Sequence, residues 1–275
     1  MKQLLYILLF LSFNISFSQS ITDDLKVYNG FFNFYYDDSS DKIYLEINDL
    51  ENEFLYISSL SSGIGSNDIG LDRGQLGGEK LVKFSKYGDK ILLIQPNLRY
   101  RAISENELEK RSVEQAFAKS VIYGFKVVEK KKDKYIIDFT PFLMEDRHGV
   151  SKRLKGSNQG SYKVDKTKSG IELERTKAFP ENVEFEALLT FSGDAKGRLI
   201  SSVAPDPDLV SVIQHHSFIK LPDDKYIPRE FDVRSGAIPI SFMDYATPVY
   251  EPIVKRYIIR HRLEKIDKSA EFSEA

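Results

Sequence analysis

The chain holds 275 residues, and its 39 Lys and Arg against 41 Asp and Glu leave a formal net charge of −2. A field this weak argues against nucleic acid or an anionic membrane surface as partner. With no cysteine, disulfides and thiolate chemistry are excluded, and packing and hydrogen bonds must hold the fold.

Residues 1–19 read as a signal peptide: Lys2 gives a positive start, Leu4 to Phe13 are apolar, and SFSQS supplies small residues for cleavage. The apolar run is too short to span a bilayer comfortably, and no later stretch reads as a transmembrane segment. Export to the periplasm, the cell surface or the medium is therefore expected. A mature part of roughly 255 residues can bury one large domain or two lobes. The division expected here is a β-rich lobe over 20–155, a second β-rich lobe over 156–266, and a frayed polar tail over 267–275. The soft boundary falls in SKRLKGSNQG, Ser151 to Gly160.

Period-two alternation predicts strands at Phe31–Tyr36, Lys42–Ile47 and Glu53–Leu60. Leu81–Phe84 and Lys90–Gln95 flank Tyr87-Gly88-Asp89 as a hairpin, and Val121–Glu129 and Lys134–Phe139 flank the basic run KKDK as another. Lysines at a hairpin tip read as a solvated turn that discourages edge pairing. One helix is predicted from a Ser104 N-cap, with Glu107 three residues later as a capping box, through Lys119. Thr140-Pro141 opens a short second helix through Met144.

Further strands are predicted at Ser161–Val164, Ile171–Arg175, Val183–Phe191, Leu199–Val203 and Leu209–Leu221. The prolines from Pro205 to Pro252 then mark extended edges or surface crossings, because proline cannot sit in a central ladder. The fold class is mainly β with one or two helices (α+β), as a mixed β-sandwich or barrel-like architecture.

The residues that carry chemistry are few. The four histidines form no H-E-x-x-H motif, and there is no G-x-S-x-G nucleophile elbow. Glu145 with His148, and His261 with Glu264, have helical spacing but no second histidine. His215 and His216 are adjacent on a predicted strand, so they point to opposite faces. One is expected on the core face with hydrogen bonds and the other exposed. An acid/base role for either, with a nearby carboxylate, is a third functional reading.

The stretch Ser61 to Gly78 holds six of the sixteen glycines, which implies positive φ or close approach to another surface. It reads as a rigid loop joining two strands, with Gly63, Gly65, Ser66, Asn67, Asp68, Asp72 and Arg73 as possible docking or structural residues. Calcium on Asn67, Asp68 and Asp72 is a weaker reading, since the spacing does not match an EF-hand. A polar cluster is read from His215, His216, Arg229, Asp232, Arg234, Arg260 and His261. The wider C-terminal set adds Asp244, Glu251, Arg256, Arg262 and Glu264, as ion pairs or as a surface receiving another domain.

Six strings, SSLSSGIGSNDIGLDRGQLGG, QPNLRYRA, SVEQAFAKS, RTKAFPENVEFEALLTFSG, HHSFIKLPDDKYIPREFDVRSG and MDYATPVYEPIVKRYIIRHRLEK, together resemble the N-terminal region of large secreted bacterial zinc-dependent metallopeptidases. The resemblance spans about Tyr28 to Lys265. In that family a domain of unknown function precedes a zincin-type peptidase domain, which carries the zinc motif and catalytic Glu. The resemblance implies a non-catalytic scaffold or docking region, with no cofactor in this chain and zinc expected only in the missing peptidase domain. The expected partner is that peptidase domain, in cis or as a split partner, with the Gly-rich loop and the Arg-rich C-terminal segment as docking surfaces. The alternative is a free-standing exported module that binds peptide or polysaccharide along Tyr35, Tyr36 or Tyr100.

Overall fold

The computed structural model describes residues 20–223, 225–261, 263, 265 and 267–272. The signal peptide at 1–19, Arg262 and Glu264 of the C-terminal set, and the tail end at 273–275 lie outside the described residues. Alternation sets the first strands: β1 (Lys26–Tyr28), β2 (Phe34–Asp37), β3 (Lys42–Ile47) and β4 (Glu53–Ser62). In β4 the even positions Phe54, Tyr56, Ser58 and Leu60 are buried and the odd ones are not.

The two expected hairpins follow. β5 (Leu76–Tyr87) and β6 (Lys90–Gln95) turn at Gly88, whose φ of 60° suits the tight connection. After a short β7 (Tyr100–Arg101) and helix α1 (Glu107–Ala116), β8 (Ser120–Lys131) and β9 (Lys134–Asp138) turn at Lys132. Next come α2 (Thr140–Leu143), α3 (Val150–Gly156), β10 (Gly160–Val164), β11 (Gly170–Ile171), β12 (Lys177–Ala178) and β13 (Asn182–Ala195). The chain ends with α4 (Arg198–Val203), β14 (Leu209–Lys220), β15 (Pro239–Asp244) and β16 (Val254–Ile258).

Thirteen strands form one antiparallel sheet in the order β1-β2-β3-β9-β8-β6-β5-β4-β14-β13-β10, with β11 and β12 also on β13. The sheet is barrel-like and nearly closed, mainly β with short helices. Where its ends approach, Phe31 N–H donates to Phe179 O at 2.7 Å and Ile171 N–H donates to Asp41 Oδ2 at 3.0 Å. Strands from both sides of the expected 155/156 boundary share this sheet through β4 and β14. The boundary segment itself forms α3 and the start of β10.

The interior is an aromatic cluster. The ring of Phe218 on β14 lies 5.1 Å from Tyr56, 5.2 Å from Phe54, 5.7 Å from Phe139 and 6.1 Å from Phe185. Such pairs add about 0.5–1.5 kcal/mol each beyond their burial. Helix α2 sends Phe142 and Leu143 into the same core.

Four local expectations change. The N-cap of α1 is Asn106, whose Oδ1 accepts from Leu108 N–H at 3.0 Å, while Ser104 Oγ only accepts from Asn106 N–H. The helix stops at Ala116 because Phe117 turns away to stack on Tyr100, 3.8 Å between ring centres. The predicted strand Leu199–Val203 is α4, a short apolar run whose period alone cannot separate strand from helix. Of Ile171–Arg175 only Ile171 is strand, and Leu173–Arg175 form a 3₁₀ turn.

A second, small sheet has the order β16-β15-β7. β7 runs parallel to the end of β15, with Met243 N–H donating to Arg99 O and Tyr245 N–H to Arg101 O. Asp244, buried, accepts from Ile103 N–H and Ala246 N–H and ties the sheet to the start of the α1 loop. Pro239 opens β15, a position where a missing N–H costs nothing. Among the described residues no helix is long and apolar enough to cross a membrane.

Replacing Phe218 by Ala should lower unfolding free energy by about 3–5 kcal/mol, through lost burial and a residual cavity. Urea titration should show the midpoint falling with an unchanged slope. A loss below about 1 kcal/mol would mean that the cluster is not the core of the cooperative unit.

Candidate functional site

β14 separates the two histidines as its alternation requires. His216 faces inward and is fully buried; its Nε2 lies 3.0 Å from Gln214 Nε2 and its Nδ1 3.0 Å from Tyr56 Oη. The carboxamide of Gln214 is fixed by its other bonds. Oε1 accepts from Arg147 N–H and His148 N–H, both at 2.8 Å, and Nε2 donates to Glu145 O at 2.9 Å. Nε2 must then donate to His216 Nε2, so the imidazole proton sits on Nδ1 and is donated to Tyr56 Oη. Burial first, and then the nearby positive groups, push the His216 pKa down to about 3, so the ring is neutral.

Above Gln214 runs the turn Glu145–Gly149. The Arg147 guanidinium lies 5.0 Å from the Tyr123 ring centre and 4.6 Å from that of Phe142, and it pairs with Glu145. Asp146 accepts from the N–H groups of Gly149, Val150 and Ser151, so the first donors of α3 are already occupied.

His215 is half-buried rather than exposed. Its Nε2 lies 2.8 Å from Glu184 Oε2 and its Nδ1 3.0 Å from Glu186 Oε1. Ser217 Oγ donates to Glu184 Oε2 at 2.5 Å and lies 3.1 Å from His215 Nε2, while Arg175 Nε lies 3.5 Å from Glu186 Oε2. Burial opposes charge on the ring, but the bonds and charges of Glu184 and Glu186 outweigh it and raise the His215 pKa. Burial likewise opposes charge on Glu184, yet bonds from His215, Ser217 and Asn182 hold it below its ordinary value. Ser217, His215 and Glu186 line up like a hydrolytic triad. Both imidazole nitrogens face carboxylates, however, so no lone pair is left to take the serine proton. The arrangement is an ion-pair clasp.

The Gly-rich loop is rigid and bonds to itself. Ile64 N–H donates to Leu71 O, Gly70 N–H to Ser66 O and Gly74 N–H to Leu60 O. Asn67, with its amide oriented by this network, donates to Asp72 Oδ1 at 2.9 Å. Ile64, Ile69 and Leu71 are buried, and a Cβ on Gly63 would stand 2.3 Å from Leu71 O, so only glycine fits. Gly65 and Arg73 are exposed and Ser66 is half-buried. Asn67 and Asp72 thus bond to each other. Among the described residues no group of three or more His, Cys, Asp or Glu could hold a metal.

The polar cluster read from sequence does not assemble as one site. His215 and His216 belong to the large sheet with partners of their own. Asp232 and Arg234 pair bidentately on the surface at 2.6 and 2.9 Å. Arg260 lies 4.8 Å from the Tyr226 ring centre and donates to Ile227 O. Arg229 contributes its backbone carbonyl to Ile258 N–H, and His261 is exposed. Tyr35 and Tyr36 are half-buried and donate to Glu46 and Asp41, and Tyr100 is stacked on Phe117, so these rings do not line an open groove.

Sequence reasoning missed two features. Gln214 was not singled out, although a glutamine on the apolar face of a strand is a signal of a buried polar junction. The exposed apolar side chains of the C-terminal segment were also not read. Eleven of the twenty-three large hydrophobic side chains that are exposed among the described residues lie between 227 and 263; Ile227 is 79% and Tyr250 86% accessible.

A family model described as a domain of unknown function (DUF5117) matches residues 74–266, and another, a domain of unknown function (DUF5118), matches 16–63. No curated protein and no solved structure matches the chain.

The two histidines should give opposite pH signatures. The unfolded chain protonates His216 below about pH 6.5, whereas the folded chain resists until about 3. Stability should therefore fall with acid across that interval, by about 1.4 kcal/mol per pH unit for one proton. His216→Gln should flatten this slope while costing about 1–3 kcal/mol at neutral pH. For His215 the folded pKa is raised, so its contribution is complete below about pH 6.5 and lost as pH rises through the folded value. His215→Gln should remove that alkaline loss. Urea midpoints measured across pH check both, and identical profiles for wild type and variants would refute the assignments.

Proposed function

The chain belongs to the DUF5117 family of domains of unknown function, and from that premise we propose that it is a non-catalytic docking scaffold for a zincin-type peptidase domain. The observation that carries this reading is the concentration of exposed apolar side chains in residues 227–263. Monomeric proteins rarely expose large contiguous apolar patches unless another surface covers them. The string MDYATPVYEPIVKRYIIRHRLEK, one of those that resemble the metallopeptidase N-terminal region, overlaps this segment. That overlap is what supports a peptidase domain as the occupant. Export is supported by the signal-like residues 1–19.

The small sheet suits a docking platform physically. Its inner side is anchored: Phe242 is buried, with the Arg101 guanidinium 4.3 Å from its ring centre, and Asp244 is bonded to the α1 loop. Around it, Ile238, Val249, Tyr250 and Ile259 in the adjoining segments and Ile240 on β15 are exposed. A rigid support beside exposed apolar side chains lowers the ordering cost of association.

Double substitution Val249→Asp with Tyr250→Asp should weaken capture of a co-purified peptidase domain at least tenfold, or about 1.4 kcal/mol. The melting temperature of the chain alone should stay unchanged, because both side chains are exposed. A peptidase domain that neither binds the wild-type chain nor folds better beside it would overturn the docking role.

A further inference from the structure

The Gly-rich loop and α3 border an open cleft of about 440 Å³, lined by Asp68, Ile69, His148, Gly149, Lys152, Arg153, Gly156 and Ser157. Its size lies in the range of small-molecule sites. Three features of the wall point to one ligand chemistry.

The first is unspent cationic capacity. Among the described residues Lys152 and Arg153 have no ion pair or side-chain hydrogen bond, although ion pairs are common elsewhere on this surface. The Arg153 guanidinium packs against Gly70, where a Cβ would lie 2.5 Å from Nη2. Gly70 has φ of 72°, so it provides both the turn and the room that the guanidinium uses.

The second is the His148 ring. Its backbone is pinned by Gln214, as described above. Its Nδ1 is buried without a partner and faces β5, 3.3 Å from where a Gly77 Cβ would stand. Nδ1 makes no hydrogen bond, and a neutral ring with its proton on Nε2 offers that N–H to a ligand in the cleft that His148 lines. Burial holds the ring neutral, with Arg153 adding to that and Asp146 opposing it.

The third is the charge balance. Asp68 stands in the same wall as the two cations, which leaves a single net positive charge, matched to a monoanion rather than to a phosphate dianion. The Asp146 carboxylate is occupied by three backbone N–H groups and does not line the cleft. Ile69 and the two glycines give an otherwise unobstructed wall.

We propose that this cleft is a carboxylate-binding site, in which Arg153 takes the carboxylate, Lys152 and His148 Nε2–H add donors, and Asp68 excludes dianions. The ligand is a small organic acid or the free C-terminus of a peptide, two sources of one chemistry. The inference goes beyond the docking role and does not depend on it, since it concerns the loop–α3 face and not the small sheet.

The test is an NMR titration of the whole chain with propionate, a short peptide with a free C-terminus, the same peptide amidated, and inorganic phosphate. Saturable shifts of the His148 ring and the Gly70 and Gly149 amides are expected with propionate or the free-terminus peptide. Whichever of the two binds identifies the source. The dissociation constant should rise at least tenfold in Arg153→Gln and in Gly70→Ala, which displaces the guanidinium without removing its charge. Lys152→Gln, on the exposed side of α3, gives the same reading if Arg153→Gln loses its fold. No saturable shift with either carboxylate, tighter binding of phosphate or of the amidated peptide, or a constant unchanged in the variants would overturn the site.

Discussion

The carboxamide of Gln214 joins what would otherwise be two separate structures. It lies on the inward face of β14, fully buried, where an unpaired amide would cost several kcal/mol. Its oxygen is filled by two backbone N–H groups of the Arg147–His148 turn, and its nitrogen by Glu145 O and the His216 ring. One side chain thereby holds the barrel wall, the buried imidazole and the approach to α3 in fixed register. The partners leave no freedom of orientation, so the tautomer of His216 and the position of His148 follow from it. The Gly-rich loop lies beside α3, and the cleft is bordered by both.

The opposite face of β14 solves a different problem. Glu184, Glu186 and His215 would repel or lose solvation singly on a half-covered sheet, but together they compensate one another. Ser217 donates to Glu184, Arg175 sets its charge 3.5 Å from Glu186 Oε2, and both imidazole nitrogens are saturated by carboxylates. This saturation is also why the Ser-His-Glu order does not amount to catalytic machinery: an imidazole committed to two carboxylates has no basic lone pair.

The two family matches divide the chain at the Gly-rich loop, with residues 64–73 between them. The fold does not divide there. β4 pairs with β5 across that loop and with β14 from the far end of the chain, so the residues of both matches complete one sheet. The division that the structure does draw is between this sheet, which buries its apolar face inward, and the small β16-β15-β7 sheet, whose flanking segments carry exposed apolar side chains. The first is self-sufficient. The second, among the described residues, is flanked by apolar side chains that stay exposed.

By itself the sequence determined what depends on near neighbours. Alternation in KIYLEI set β3 at its full extent, Gly88 placed a hairpin turn, Thr140-Pro141 opened α2, and the adjacency of His215 and His216 put them on opposite faces. Each rests on backbone geometry over a few residues, which local pattern carries directly. The tertiary structure alone decided that LISSV is helix, that Asn106 rather than Ser104 caps α1, and that His215 meets two glutamates from β13. It also brought Gly70 against Arg153 and Gln214 beneath His148. The reason is physical: those pairings are long-range choices among many chemically acceptable partners, and packing of the whole barrel selects among them where no local periodicity can.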